Sequence, residues 1–406
     1  LPFGLLGEKL AHSFSPLIHS VFGDYEYILF PVEPEEVPDF LQRREFDGLN
    51  VTIPYKQTVI PYCASLSPIA RRLNSVNTIT VKNGQLYGDN TDYAGFLHLL
   101  RTSGITVKGK KALILGSGGS SHTVNAVCAD EGAREIIVVS RTGKVNYENI
   151  ALHSDAEVII NTTPVGMYPN NGESPVDLAL FPNLEAVVDI IYNPQRTALL
   201  LQAEKRGLKH VNGLPMLAAQ AKYAAELFCG ARIDDALIDK AVEVVNKKTR
   251  NLVFIGMPGS GKSTIGRMLA SRLGMKFIDT DELVREMTGR TPAEIIKNDG
   301  EPAFRAIERQ AAKEAGKQTS SVIATGGGIV LDERNIDALR QNGLIIFLDR
   351  SLEKLDTSGR PLSSSYESLK KLYEFRYPLY QKYADIVADS NLNLETAAEK
   401  IYQLLQ

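Results

Sequence analysis

Short apolar runs recur along the chain, separated by segments whose apolar positions return at helical spacing. Alternation of this kind predicts α/β architecture. Early strands are expected at Pro2–Leu6, Tyr27–Val32 and Gly48–Ile53, with a helix over PEEVPDFLQRRE. The stretch TITVKNGQLYG predicts a hairpin, because Asn83 and Gly84 tolerate the positive φ angles of a tight turn. A fresh series opens at KALILGSGGSSHTVNAVCADEGAREIIVVSRT, in the order strand, glycine turn, helix, strand. VIINTTP and AVVDIIY continue it as buried parallel strands. GLPMLAAQAKYAAELFCG is expected to be a helix, with Pro215 in its first turn and Gly230 stopping it. IDDALIDKAVEVVNKK is another, and NKKTR then runs directly into a third series at NLVFIG.

Composition narrows the class. The 406 residues are 44% hydrophobic and 23% charged, the balance of an ordinary globular protein of two or three domains. A net charge of −3 gives no basic surplus for nucleic acid or an acidic membrane. Cys63, Cys128 and Cys229 lie far apart, which predicts reduced thiols and no zinc cluster. No apolar run reaches the ~20 residues of a membrane span, and the opening LPFGLLGEKL lacks the pattern of a signal peptide. A cytoplasmic enzyme or binding protein is expected, with small-molecule partners; its oligomeric state is not legible.

The first glycine loop, LILGSGGSS, sits between a predicted strand and a predicted helix. Gly116, Ser117, Gly118, Gly119 and Ser120 would let a pyrophosphate approach the helix N-terminus. The next strand ends in VVSRT. An NAD site normally carries a carboxylate there for the ribose 2′-hydroxyl. Ser140, Arg141 and Thr142 suit a 2′-phosphate instead, so NADP(H) is the expected cofactor. His122 follows the loop, leaving more of the discrimination to Arg141.

Upstream, Ser13 and Ser15 stand two apart before Pro16, able either to hold a carboxylate or to cap the helix SPLIHSVF. The motifs AHSFSPLIH, NVTIPYK, SVNTI, GDNTDYAGF and GLPMLAAQA, in that order, resemble the shikimate dehydrogenase family over about residues 1–248. The resemblance implies that Lys56 and Asp92 form the catalytic dyad. It implies that Ser13, Ser15, Thr52, Asn77, Asp92, Tyr192 and Gln220 bind substrate, with Ile190 and Gly213 near the nicotinamide. A lysine beside a carboxylate can polarise a ketone and protonate the alkoxide left by its reduction.

Residues 256–263, GMPGSGKS, fit the phosphate-binding pattern GxxxxGK[ST], again between strand and helix. Pro258, Gly259, Ser260, Gly261, Lys262, Ser263 and Thr264 would cradle the phosphates of ATP, with the Ser263 hydroxyl on Mg²⁺. FIDTDELV, GEPAFRAIE, GGGIV, RPL and RYPLY then resemble shikimate kinase over about residues 251–406. The resemblance assigns Asp279 to Mg²⁺ and Asp281 to the acceptor hydroxyl, alongside a catalytic Lys262. It assigns Arg305 and Arg376 to the acceptor carboxylate, Gly327 and Gly328 to close approach of the ring, and Arg360 to ATP. Strand geometry, if it persists, turns Asp279 and Asp281 to one face. Read from sequence alone, Arg305 could equally form salt bridges with Glu301 and Glu308. The segment between FLD and RYPLY is short and lacks the first of two usual lid arginines, with Arg350 the nearest substitute.

The expected organisation is therefore a substrate domain at 1–93 and 214–248, a Rossmann NADP domain at 94–213, and a P-loop kinase domain with a parallel sheet at 251–406. The expected activity is reduction of 3-dehydroshikimate followed by phosphorylation of shikimate. The alternative is a quinate-active dehydrogenase carrying a nucleotide-binding regulatory module.

Overall fold

Three sheets form among the described residues of the computed structural model, which are 1–11, 13–355, 366–391 and 393–405. The first holds β1 (Phe3–Gly7), β2 (Tyr27–Pro31), β3 (Gly48–Val51), β4 (Ser65–Leu66), β5 (Thr78–Lys82) and β6 (Gln85–Asp89) in the order β2-β1-β3-β5-β6-β4. Its parallel core β2-β1-β3 meets the antiparallel hairpin β5–β6. Asn83 and Gly84 turn that hairpin with φ of 50° and 70°, the left-handed pair the sequence predicts.

The second sheet is fully parallel: β7 (Lys111–Leu115), β8 (Glu135–Val139), β9 (Val158–Asn161), β10 (Ala186–Asp189) and β11 (Lys209–Val211), in the order β11-β10-β9-β7-β8. Both faces are covered, as a parallel sheet requires. Leu113 and Leu115 pack with Ile159 and Leu199 on one face, and Ala112 and Ile114 with Val124 and Ile160 on the other. The third sheet is also parallel, with β12 (Asn251–Ile255), β13 (Lys276–Asp279), β14 (Ser321–Ala324), β15 (Gly343–Asp349) and β16 (Ile386–Asp389) in the order β13-β14-β12-β15-β16. Val253 and Ile255 face one apolar layer, Leu252 and Phe254 the opposite one. No helix among the described residues is long and apolar enough to cross a membrane.

The chain divides into two compact units. One is Leu1–Val165, Ser174–Tyr192 and Leu199–Asn246; the other is Gly166–Glu173, Asn193–Ala198 and Lys247–Gln406. Within the first, the Asp92–Ser103 and Leu214–Cys229 helices press together at Gly95. A Cβ there would stand 2.7 Å from the Met216 carbonyl oxygen and 2.9 Å from Gln220 Cβ. This contact brings Asp92, at the head of one helix, level with Gln220 on the other. Gly95→Ala should therefore force the helices apart, lowering stability by about 1–3 kcal/mol as overpacking does. Denaturant unfolding of the first unit would measure the loss, and an unchanged midpoint would show that the helices have slack.

Candidate functional site

At the start of the Ser15–Phe22 helix, Ser13 Oγ accepts the Ser15 N–H at 3.2 Å, and the Ser13 hydroxyl donates to Ser15 Oγ at the same separation. No side chain caps the helix from Phe14, its N-cap residue. The two hydroxyls therefore stand together at a helix N-terminus, where an anion is favoured. Phe14 sets its ring edge-on to Tyr192 at 6.2 Å between centroids, so Tyr192 borders this corner.

Lys56 follows β3 in a loop tied down by the Val76 N–H, which donates to the Lys56 carbonyl at 2.8 Å. Its Nζ lies 2.6 Å from Asp92 Oδ2, with the side chains 27% and 16% exposed. These exposures leave the pair reachable by a ligand while water screens it only in part. Asp92 Oδ1 accepts from Asn77 Nδ2 at 2.9 Å. Asn77 Nδ2 also lies 3.5 Å from Gln220 Oε1. Thr52 donates its N–H to the Leu6 carbonyl at 2.9 Å and sets its methyl against Gly7. Lys56, Asn77, Asp92 and Gln220 are thus one connected cluster, assembled from the turn after β3, the residue before β5, and two helices.

Along the second sheet, Gly116 follows β7 with φ 104°, and the Gly119–Asp130 helix begins three residues later. Nothing lies within 4 Å of a Cβ added at Gly118 or Gly119, so the backbone is open to a phosphate. Ser140, Arg141 and Thr142 follow β8, with Arg141 and Thr142 exposed. Ser140 is held in a turn by its N–H to the Val145 carbonyl, 3.1 Å away. Ile190 follows β10, and its carbonyl oxygen would be 1.8 Å from a Cβ at Gly213. Only glycine allows these two backbone segments to meet.

In the other unit, a cavity of about 620 Å³ is lined by the loop after β12, by Asp279, Asp281, Arg305, Glu308, Gly326, Gly327, Gly328, Arg350 and Arg376. Gly256, Gly259 and Gly261 take positive φ, shaping the loop before the Lys262–Leu273 helix. Lys262 Nζ donates to the Gly256 and Met257 carbonyls at 2.9 and 2.8 Å. Pro258, Gly261, Ser263 and Thr264 also face the cavity, whereas Ser260 is fully buried beneath the loop. The Ser263 hydroxyl lies 2.7 Å from Asp279 Oδ2. Two adjacent oxygen donors of this kind fit a small hard cation that keeps several waters.

The strand geometry expected to align Asp279 and Asp281 does not persist. β13 ends at Asp279, which caps the Thr280–Thr288 helix by accepting the Asp281 N–H at 3.0 Å. The helix turn, not the strand pleat, delivers Asp281 to the cavity. Arg305 makes the salt bridges considered from sequence, to Glu301 and Glu308 at 2.7 Å each, and still lines the cavity. Arg376 is 4% exposed, and its Nε has no hydrogen-bond partner among the described residues. Arg376 also lines the cavity, and a largely buried guanidinium suits a carboxylate.

From sequence, Glu308 is expected only as a salt-bridge partner of Arg305. It is 2% exposed, and burial raises its carboxyl above the usual range while Arg305 pulls it down. Asp281 also raises it, and Arg376 lowers it, so Glu308 feels both arginines and Asp281 at once. Its place in FRAIE, three residues after Arg305, was the available signal. Tyr380, in RYPLY, was likewise missed; its hydroxyl donates to the Gly327 carbonyl at 2.5 Å, fixing the glycine turn. Arg350 sits just after β15 with Nε donating to the Lys354 carbonyl at 2.8 Å. Arg360 lies outside the described residues.

The fold and these two sites define a dinucleotide-type oxidoreductase joined to a P-loop phosphotransferase. Residues 5–79 match the family model "Shikimate dehydrogenase substrate binding domain", and residues 258–406 match "Shikimate kinase". The NADP(+) shikimate dehydrogenase of Clostridium beijerinckii is 37% identical over 255 residues, 58% of this chain and 94% of that relative. A chorismate mutase/shikimate 5-dehydrogenase fusion protein from Clostridium acetobutylicum is 37% identical, with TM-score 0.58, over 60% of this chain and 97% of the other. Shikimate 5-dehydrogenase from Thermus thermophilus, solved with NADP(H) and shikimate, is 34% identical with TM-score 0.55, over 60% and 98%. The chain belongs to the shikimate dehydrogenase family and carries a shikimate kinase domain behind it.

The Ile190–Gly213 contact is the closest approach at any glycine of the first unit, and the sequence assigns both residues to the nicotinamide end. Gly213→Ala should weaken dinucleotide binding at least about tenfold, the order of one displaced backbone contact. Fluorescence titration of the full chain with NADPH measures it, with phosphotransfer rate as the internal control.

Proposed function

We propose that this chain is a bifunctional enzyme of the shikimate pathway. Its first unit reduces 3-dehydroshikimate to shikimate with NADPH, and its second phosphorylates the new 3-hydroxyl with MgATP. The reading is supported by two separate glycine loops, one in each unit, with paired hydroxyls at Ser13 and Ser15 in the first unit and Arg305 and Arg376 lining the cavity of the second. The relatives' names for the front part and the family model for the back part point to the same small acid.

When bound, NADPH supplies a hydride and MgATP a phosphoryl group. In the first site, Ser13 and Ser15 hold the acid's carboxylate, while Thr52, Asn77 and Gln220 orient its ring hydroxyls. Lys56 polarises the ketone and gives a proton to its oxygen as the alcohol forms, kept in place by Asp92 at 2.6 Å. Ser140, Arg141 and Thr142 receive the 2′-phosphate. In the second site, Arg305 and Arg376 clamp the carboxylate and Asp281 orients the acceptor hydroxyl and takes its proton. Lys262 steadies the phosphates as charge moves, and Ser263 and Asp279 hold the magnesium ion. Positioning and neutralisation supply most of the catalysis in such transfers.

Full chain incubated with 3-dehydroshikimate, NADPH and MgATP should yield shikimate 3-phosphate. Omitting ATP should stop at shikimate, and omitting NADPH should give no product. Lys56→Ala should abolish reduction and spare phosphorylation, and Lys262→Ala should do the reverse. Loss of both activities from either change in a folded protein would sink the two-site reading. Arg350 is the one arginine described on the nucleotide side of the cavity, so Arg350→Ala should raise the KM for ATP about tenfold, a charge-assisted contact's worth. The KM for shikimate should stay unchanged in the same assay.

A further inference from the structure

Between Tyr27, stacked on the helix that the paired serines open, and the Lys56–Asp92 pair runs a line of hydrogen-bonded side chains, with Asn50, Thr78 and Asn77 buried within it. The Thr91 backbone N–H, which can only donate, binds Asn77 Oδ1 at 2.7 Å. That fixes the Asn77 amide, so its Nδ2 must be the group donating to Asp92 at 2.9 Å. The Thr78 hydroxyl donates to Asn77 Oδ1 at 3.0 Å. Asn50 Nδ2 in turn faces Thr78 Oγ1 at 3.4 Å and the Asn77 carbonyl, an acceptor only, at 3.5 Å. Asn50 Oδ1 is thereby turned to Tyr27, whose hydroxyl donates to it at 2.8 Å.

With its own proton committed to Asn50, the Tyr27 oxygen can only accept; the helix opened by Ser15 runs beside it, since the Tyr27 ring stacks on His19 one turn further on, and the Ser15 hydroxyl favours its ionised form against the rise that burial imposes. Tyr27 has little freedom to answer otherwise. Its ring stacks on His19 at 3.9 Å with a 12° tilt. His19 is 1% exposed, hydrogen-bonded through Nδ1 to the Tyr25 hydroxyl at 2.7 Å, and kept neutral by burial.

We propose that Tyr27 is a positioning residue, resting on the dehydrogenase reading of this site, that ties the substrate-carboxylate grip at Ser13 and Ser15 to the Lys56–Asp92 pair through Asn50, Thr78 and Asn77. The Tyr27 oxygen holds the Ser15 hydroxyl proton in one direction until a carboxylate takes it. The same residue holds Asn50, whose amide faces Thr78 and the backbone carbonyl of Asn77, the residue that donates to Asp92. The two ends of the substrate are then held in a fixed relation by side chains that do not touch it at Tyr27 or Thr78.

The test uses the full chain and shikimate oxidation by NADP⁺. Tyr27→Phe removes the hydroxyl and leaves the ring on His19. It should lower kcat about tenfold, the order of one buried hydrogen bond, with the KM for NADP⁺ unchanged. Thr78→Val breaks the same line in its middle with little change of shape and should give a similar fall. The double variant should be no worse than the poorer single one, because both interrupt one line. Losses that multiply, a kcat within twofold of the parent for either folded variant, or a KM for NADP⁺ that rises in step would overturn the proposal. A parent chain inert towards shikimate would remove the dehydrogenase reading and this inference together. An active parent equalled by both variants would remove the inference alone.

Discussion

The last peptide groups of a parallel strand have no continuing neighbour to bond, and in this chain both glycine loops and several of the residues assigned to the two sites stand just beyond such ends. Lys56 follows β3, Gly116 follows β7, Ile190 follows β10, the phosphate loop follows β12, and Gly326 follows β14. Crevices outside the carboxyl ends of parallel strands are where ligands bind in such sheets, because free N–H groups and helix N-termini gather there. The apolar layers on both faces of the second and third sheets exist to hold those ends still. Whatever loosens the sheets blurs the sites first.

Much of this was legible in the chain itself. The hairpin at Asn83-Gly84, both glycine loops, and the helix stopped by Gly230 follow from local chemistry and appear where expected. The clustering of Lys56, Asn77, Asp92 and Gln220 was implied by resemblance, and geometry supplies its physical cause in Gly95 and the Asn77 amide. Local patterns misled at Asp281. Two carboxylates two apart after a strand share a face only if the strand continues, and here the first of them ends it by capping a helix.

What stayed hidden depends on burial and long-range contact. Glu308 looks like any helix-surface acid in FRAIE, yet the fold buries it between two arginines and Asp281. Tyr27 lies 23 residues from Asn50 in the chain, and no spacing rule connects them. Tyr380 braces a glycine turn 53 residues away. Side chains of this kind carry no local signature, because their partners come from sheet register, which is set by the whole domain.

The two corners proposed to hold a carboxylate differ in charge. The first offers paired neutral hydroxyls at a helix start, and the second offers two guanidinium groups, one of them almost wholly buried. Hydroxyls let an anion go when water competes, whereas a desolvated cation does not. If the acid is held as proposed, one molecule meets a loose grasp before a firm one. Dissolved salt would then act unevenly, weakening the exposed approach to the arginine corner while leaving the serine corner nearly indifferent.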